Sequence, residues 1–145
     1  MRRSLICLSL VVAAGCGAEE AGVREAASDL AKAAQEKDAA EVCRLLFSSA
    51  FLPPAVAERA GVPPGSSGRT DDFHASQREC AEDLDEELQV FADEPALSRV
   101  RVREVPRTQG IDALASAIAT YADGKPQEVH FVKYEGEWRV LFVSS

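Results

Sequence analysis

The stretch Glu128-Val129-His130-Phe131-Val132-Lys133-Tyr134-Glu135-Gly136-Glu137-Trp138-Arg139-Val140-Leu141-Phe142-Val143 decides the fold. Apolar and polar residues alternate on both sides of Glu135-Gly136, the pattern of two half-buried strands, Glu128 to Tyr134 and Trp138 to Val143, joined by a tight turn. If that turn has two residues, Phe131 faces Val140, Val129 faces Phe142, and Trp138 shares their side. Asp123-Gly124 is a second hairpin signal just upstream. Read as another two-residue turn, it pairs Val129 with Ile118 and Phe131 with Ser116 on a strand from Ala113 to Tyr121. One apolar face then forms across three strands from Leu114, Ile118, Val129, Phe131, Trp138, Val140 and Phe142. This expectation is sensitive to turn length, because a slip of one residue turns every side chain of a strand to the other face.

Upstream, Arg99-Val100-Arg101-Val102-Arg103 alternates strictly and predicts a fourth strand with valines on one face and arginines on the other. The N-terminal half has the helical period instead. Val23, Ala27, Leu30 and Ala34 lie on one stripe of a helix from Ala21 to Gln35. Asp38 followed by Glu41 reads as a capping box opening a second helix, with Val42, Leu45 and Leu46 inward. After Pro53-Pro54, residues Ala55 to Ala60 fit one further helical turn. The Pro63 to Gly68 run is a loop. A third long helix is expected from Ala75 to Phe91, with Cys80, Leu84, Leu88 and Phe91 inward. The fold class is therefore α+β, three N-terminal helices packed on a four-stranded antiparallel sheet.

The N-terminus predicts an address. Met1-Arg2-Arg3 followed by apolar residues Leu5 to Ala14 has the form of an export signal. Ala13-Ala14-Gly15-Cys16 resembles the lipobox of bacterial lipoproteins, in which the chain is cut before the cysteine and its thiol carries a diacylglycerol; the place where leucine is usual holds Ala13. The alternative is an ordinary Ala-rich cleavage site with an incidental cysteine. The expected organisation is a signal peptide at 1–15, a lipidated tether at 16–21 and one domain at 22–145. Beyond residue 15 no apolar run approaches the roughly 20 residues of a membrane-spanning helix, so the expected attachment is through lipid on Cys16, on the extracytoplasmic face of the cell membrane.

The whole chain carries 16 Lys and Arg against 24 Asp and Glu, and loss of Arg2 and Arg3 takes the mature net charge to 14 − 24 = −10. Nucleic acid and anionic lipid surfaces are repelled by such a domain. Once Cys7 is removed and Cys16 acylated, Cys43 and Cys80 remain, an even pair in an oxidising compartment, and a Cys43–Cys80 disulfide is expected. A metal pair or redox-active thiol lacks the CxxC spacing and the histidines that would support it.

Three helices before a four-stranded sheet, with Cys43-Arg44-Leu45-Leu46, Cys80 and the Gly136-Glu137-Trp138-Arg139 turn, resemble small secreted bacterial lipoproteins of the nuclear-transport-factor-2-like superfamily. The resemblance spans about residues 20 to 145. It implies a curved sheet wrapped round a helix as a cone, used by some members as an active site and by others for dimerisation or ligand binding. The pocket it implies here is lined by Leu114, Ser116, Ile118, Thr120, Phe131, Trp138 and Val140.

Few residues offer chemistry. His130 falls on the face opposite Phe131 as a sheet-surface histidine. Asp72 and His74 follow the Gly/Ser loop, where Asp72 also suits a helix N-cap. Asp112 is the one carboxylate expected near the cone mouth. Arg99, Arg101 and Arg103 suit an anion site, but a solvated strand that resists edge pairing is the preferred reading. Glu82, Asp83, Asp85, Glu86 and Glu87 form a solvated acidic face without a calcium-loop pattern. No nucleophile elbow, phosphate-binding glycine loop or zinc motif occurs, so no metal or cofactor is expected. The function expected is non-catalytic binding of a protein partner or a small apolar ligand. The alternative is a small isomerase or cyclase using Asp112, or Asp72 with His74. A homodimer through Val132, Leu141 and Val143 is a further expectation.

Overall fold

The computed structural model describes residues 2–63, 73–84 and 88–142, with the side chains of 2–16, 73–74 and 89–90 outside that description. Helix α1 (Arg2–Gln35) is followed by α2 (Ala39–Leu45), a short strand β1 (Leu46–Ser48), α3 (Pro54–Arg59) and α4 (Phe73–Asp83). Strands β2 (Ala96–Thr108), β3 (Ile111–Thr120), β4 (Pro126–Tyr134) and β5 (Glu137–Phe142) complete the chain. The sheet is mixed and five-stranded, in the order β1-β5-β4-β3-β2, not the four-stranded antiparallel sheet expected. The added strand is β1, which runs parallel to β5 with Leu46 opposite Val140 and Ser48 opposite Phe142. Its three residues continue the apolar run of α2, so nothing local marks the change of state. Only pairing with β5 does.

Local signals explain most of the elements. The Asp38 side chain accepts from the Glu41 backbone N–H at 3.1 Å and caps α2. The reciprocal half of the box is missing, because the Glu41 carboxylate accepts from Arg44 and the Asp38 N–H donates to the Ala33 carbonyl. Pro53 and Pro54 open α3, where a missing N–H costs nothing. The long helix expected to reach Phe91 is shorter. Helix α4 ends at Asp83, and Leu88–Phe91 forms a 3-10 turn instead.

Turn chemistry sets the register. Glu135 and Gly136 both have positive φ, 50° and 82°, as a two-residue type I′ turn requires. Phe131 accordingly lies opposite Val140, as expected. Gln109 and Gly110, at 52° and 84°, make a second such turn between β2 and β3 that the sequence reading did not anticipate. The Asp123-Gly124 turn is different. Gly124 alone has positive φ, and its N–H donates to the Tyr121 carbonyl at 2.9 Å, which is a type I turn followed by a left-handed glycine. Thr120 pairs with Pro126, so the loop runs from Tyr121 to Lys125 and the register shifts by one residue from that of the expected two-residue turn. Phe131 pairs with Ala115 and Val129 with Ala117, in place of Ser116 and Ile118.

The slip exchanges the two faces of β3. Ala113, Ala115 and Ala117 pack with Phe131 and Trp138 against Val23, Ala26 and Ala27 of α1. On the other face Ile111, Leu114, Val132 and Leu141 pack with Phe47, Leu52 and α3 residues Val56 and Ala57. Alanine on β3 is what lets α1 lie close to the sheet. Gly22 shows the same constraint, since a Cβ there would stand 2.7 Å from Trp138 Cδ1. The expected inward stripes of the first two helices are buried, with Val23, Ala34 and Val42 fully so.

Cys43 on α2 and Cys80 on α4 form a disulfide with their Cα atoms 6.0 Å apart. Gln77 adds a hydrogen bond from its amide to the Cys43 carbonyl at 3.2 Å. The bridge closes a sequence separation of 37 residues, which by chain entropy stabilises the fold by about 2–4 kcal/mol.

Candidate functional site

The pocket expected from the sequence is divided by the register of β3. Phe131, Trp138 and Val140 lie on the α1 side, whereas Leu114, Ser116, Ile118 and Thr120 lie on the other. What remains of an apolar recess under α1, lined by Ala27, Leu30, Leu97, Tyr121, Val129, Phe131 and Val140, has a volume of about 40 Å³. That is of the order of one water molecule. Tyr121 belongs to this recess, and burial pushes its phenol pKa up.

Polar cavities flank the sheet. The first, about 270 Å³, is lined by Glu19, Val102, Glu104, Val105, Asp112, Ala113 and Lys133. Asp112 sits at a bulge, because Ile111 pairs with Tyr134 and Ala113 with Lys133, which leaves one residue between them unpaired. Its Oδ1 is buried with no hydrogen-bond partner among the described residues. Lys133 Nζ donates to Glu19 Oε1 at 2.7 Å, and Trp138 Nε1 donates to Glu19 Oε2 at 3.1 Å. The Glu19 hydrogen bond holds the Lys133 ammonium pKa above its ordinary value. Asp112, expected near the mouth of a cone, lines this cavity at the sheet edge. Its neighbours Glu19 and Lys133 went unrecognised: Glu19 falls in the expected tether, and Lys133 reads as one more polar residue of an alternating strand.

The second cavity is an open groove of about 630 Å³ on the α3 side of the sheet, lined by Arg59, Gly61, Arg101, Arg103, Ser116, Glu128 and His130 among others. Cross-strand pairing builds its floor. Arg101 lies opposite Ser116 and Ser116 opposite His130, so three polar side chains form one row across β2, β3 and β4. Arg103 lies opposite Leu114 in the next row. Arg99 does not join them. The ladder shifts by one residue between Ser98 and Arg101, and Arg99 takes a φ of 52° in that irregularity. β2 is an edge strand, as the preferred reading of its arginines anticipated. His130 stands on the face away from Phe131, as expected, 3.7 Å from Glu128.

A third arrangement joins α2 to β5 beside an open cavity of about 290 Å³, whose lining includes Gly22, Asp29, Arg44, Glu137 and Trp138. Arg44 pairs with Glu41 and, at 2.8 Å, with Glu137. The Arg139 guanidinium is buried, donates to the Arg44 carbonyl at 2.9 Å and lies 5.2 Å from the centre of the Tyr134 ring. Burial lowers the pKa of Arg139, while the Glu41 hydrogen bond raises that of Arg44. This network holds elements together and is structural.

Of the other expected residues, Asp72 lies outside the described residues, and the same holds for the side chains of His74 and Cys16. Val132 and Leu141, whose exposure motivated a sheet-to-sheet dimer, are buried beneath α3 and the turn after β1. Val143 is outside the described residues. Among the described residues no helix is long and apolar enough to cross a membrane. No family model, curated protein or solved structure matches this chain.

Proposed function

We propose that this chain is an exported domain tethered to the extracytoplasmic face of a membrane by acyl chains on Cys16, and that it acts by binding a partner rather than by catalysis. The observation that carries the export reading is the Cys43–Cys80 disulfide, which joins the two cysteines left once Cys7 is removed and Cys16 acylated. Disulfides of this structural kind belong to oxidising compartments. The Arg2-Arg3 start, the apolar run to Ala14 and the small residues before Cys16 supply the route. A nuclear-transport-factor-2-like cone remains a proposal for the fold family. The near-filled recess under α1 argues against an apolar ligand of any size, which leaves a protein partner or a polar solute on the α3 side.

Intact mass spectrometry of membrane-extracted protein tests the anchor. The expected species starts at Cys16, carries acyl groups, and shows two thiols only after reduction. An unacylated chain would overturn the anchor.

One observation favours a second reading, a small acid–base enzyme of the isomerase or cyclase type. Asp112 Oδ1 is buried without a partner among the described residues, in a cavity that also holds Glu19, Glu104 and Lys133, as a general base awaiting its substrate would be. Turnover of an enolisable ketone, lost by about 100-fold or more in Asp112→Asn, would establish it. Turnover unaffected by that change would remove Asp112 from the chemistry.

A further inference from the structure

The arginine-lined groove, at about 630 Å³, is larger than the Asp112 cavity and the recess under α1, and the binding reading leaves its ligand unnamed. We propose that it binds a small oxyanion-bearing solute, one or more phosphate or carboxylate groups of which are held by Arg101 and Arg103 over Ser116 and His130, with Arg59 closing the α3 side.

The geometry comes from pairing. Arg101 and Arg103 are two residues apart on one face of β2, so their Cα atoms lie about 7 Å apart at the rise of a strand. Each guanidinium offers a planar fork of N–H donors that matches a carboxylate or phosphate edge. Among the described residues Arg59, Arg101 and Arg103 take no hydrogen bond or ion pair within the chain. By contrast, Arg24 donates to the Leu97 carbonyl, and Arg44 and Arg139 are bonded between α2 and β5. Beneath the groove arginines, Ser116 supplies a hydroxyl, and buried Leu114 gives an apolar floor next to it. A volume of about 630 Å³ fits a small molecule. One acid, Glu128, stands on the rim beside His130.

Charge sets the size of the ligand. The chain carries 16 Lys and Arg against 24 Asp and Glu, a net charge of −8, so a nucleic acid or an anionic bilayer meets repulsion from the surface as a whole. Screening at physiological salt limits each charge to a range of about 8 Å. An anion small enough to enter the groove is therefore governed by the three arginines that line it. The inference rests on the binding reading but not on the anchor at Cys16.

Calorimetric titration of the detergent-solubilised full-length protein with citrate and with inorganic pyrophosphate tests it, at low and at physiological salt. Saturable 1:1 binding of at least one probe is expected, and the probe that binds identifies carboxylate or phosphate as the group recognised. Arg101→Gln and Arg103→Gln should each weaken it by about 10-fold or more, the loss of a charge-assisted hydrogen bond. Arg99→Gln removes the same charge two residues away and should change affinity less than about 2-fold, while Glu128→Gln should strengthen binding. No saturable binding of either probe overturns the proposal. So does equal weakening by Arg99→Gln, which would mark a diffuse charge effect, or binding confined to vesicles containing an anionic phospholipid. Saturable binding that survives both β2 substitutions overturns the groove while leaving the binding reading intact, and absent acylation at Cys16 overturns the anchor alone.

Discussion

Gly22 and Glu41 are residues whose roles follow from a single neighbour each. A methyl group at Gly22 would stand 2.7 Å from Trp138 Cδ1, so Gly22→Ala forces α1 off the sheet. Overpacking of this kind costs about 1–3 kcal/mol, more than the roughly 1 kcal/mol of helix propensity gained. Urea denaturation should show a net loss of stability. A gain would mean that α1 does not seat on Trp138. At Glu41 the hydrogen bond from Arg44 holds the carboxyl pKa below its ordinary value. A carboxyl with a depressed folded pKa contributes stability above its unfolded value, and that contribution is lost as pH falls through the lower folded value. Both side chains are more than a third exposed, so the contribution is only a few tenths of a kcal/mol. Glu41→Gln should leave stability at pH 7 almost unchanged and should flatten its fall below about pH 4.5. A fall as steep as in the parent protein would locate the acid sensitivity elsewhere.

At the scale of elements, turns decide what the sequence discloses. The β4–β5 hairpin was legible in full, because Glu135-Gly136 adopts the one turn type that a two-residue connection favours, and Phe131 meets Val140. The β3 register was not. Asp-Gly also suits a type I turn that ends in a left-handed glycine, and the Asp123 carboxylate stabilises this version by accepting from the Lys125 N–H at 2.9 Å. Nothing local separates the two. The alanines of β3 carried the missing signal, since Ala113, Ala115 and Ala117 are too small to fill an open cone but suit a face with a helix lying close against it. β1 was illegible because three residues make no period. Deleting Ala122 would shorten the β3–β4 loop by one residue and set the turn against the packing of β3. The expected outcome is loss of the cooperative urea transition, and a parent-like midpoint would contradict the role given to the turn. Reducing the helix-to-helix bridge is milder. Cys43→Ala with Cys80→Ala should lower stability by about 2–4 kcal/mol with the fold retained, and an unchanged midpoint would show that the bridge constrains little.

Across the molecule, the sheet separates two environments. On the α1 side the core is filled, and solvent enters at its edges, in the Asp112 cavity and in the cavity beside Arg44 and Glu137. On the α3 side the lower part of the sheet is covered by α3, and the upper part is left open with arginines along it. The sequence reading named Asp112, Ser116, Arg101, Arg103 and His130 but grouped them wrongly, since side chains meet according to a register fixed by one loop residue. Arg59 was beyond reach, because α3 meets the sheet only through tertiary packing. The groove and the divided apolar pocket both depend on which face of β3 looks outward. Maleimide labelling of Ser116→Cys and Ala115→Cys, in a chain whose Cys7 and Cys16 are replaced by serine, measures that directly under native conditions. Position 116 should label rapidly, and position 115 only after unfolding. The reverse order would restore the open apolar cone and remove the arginine groove.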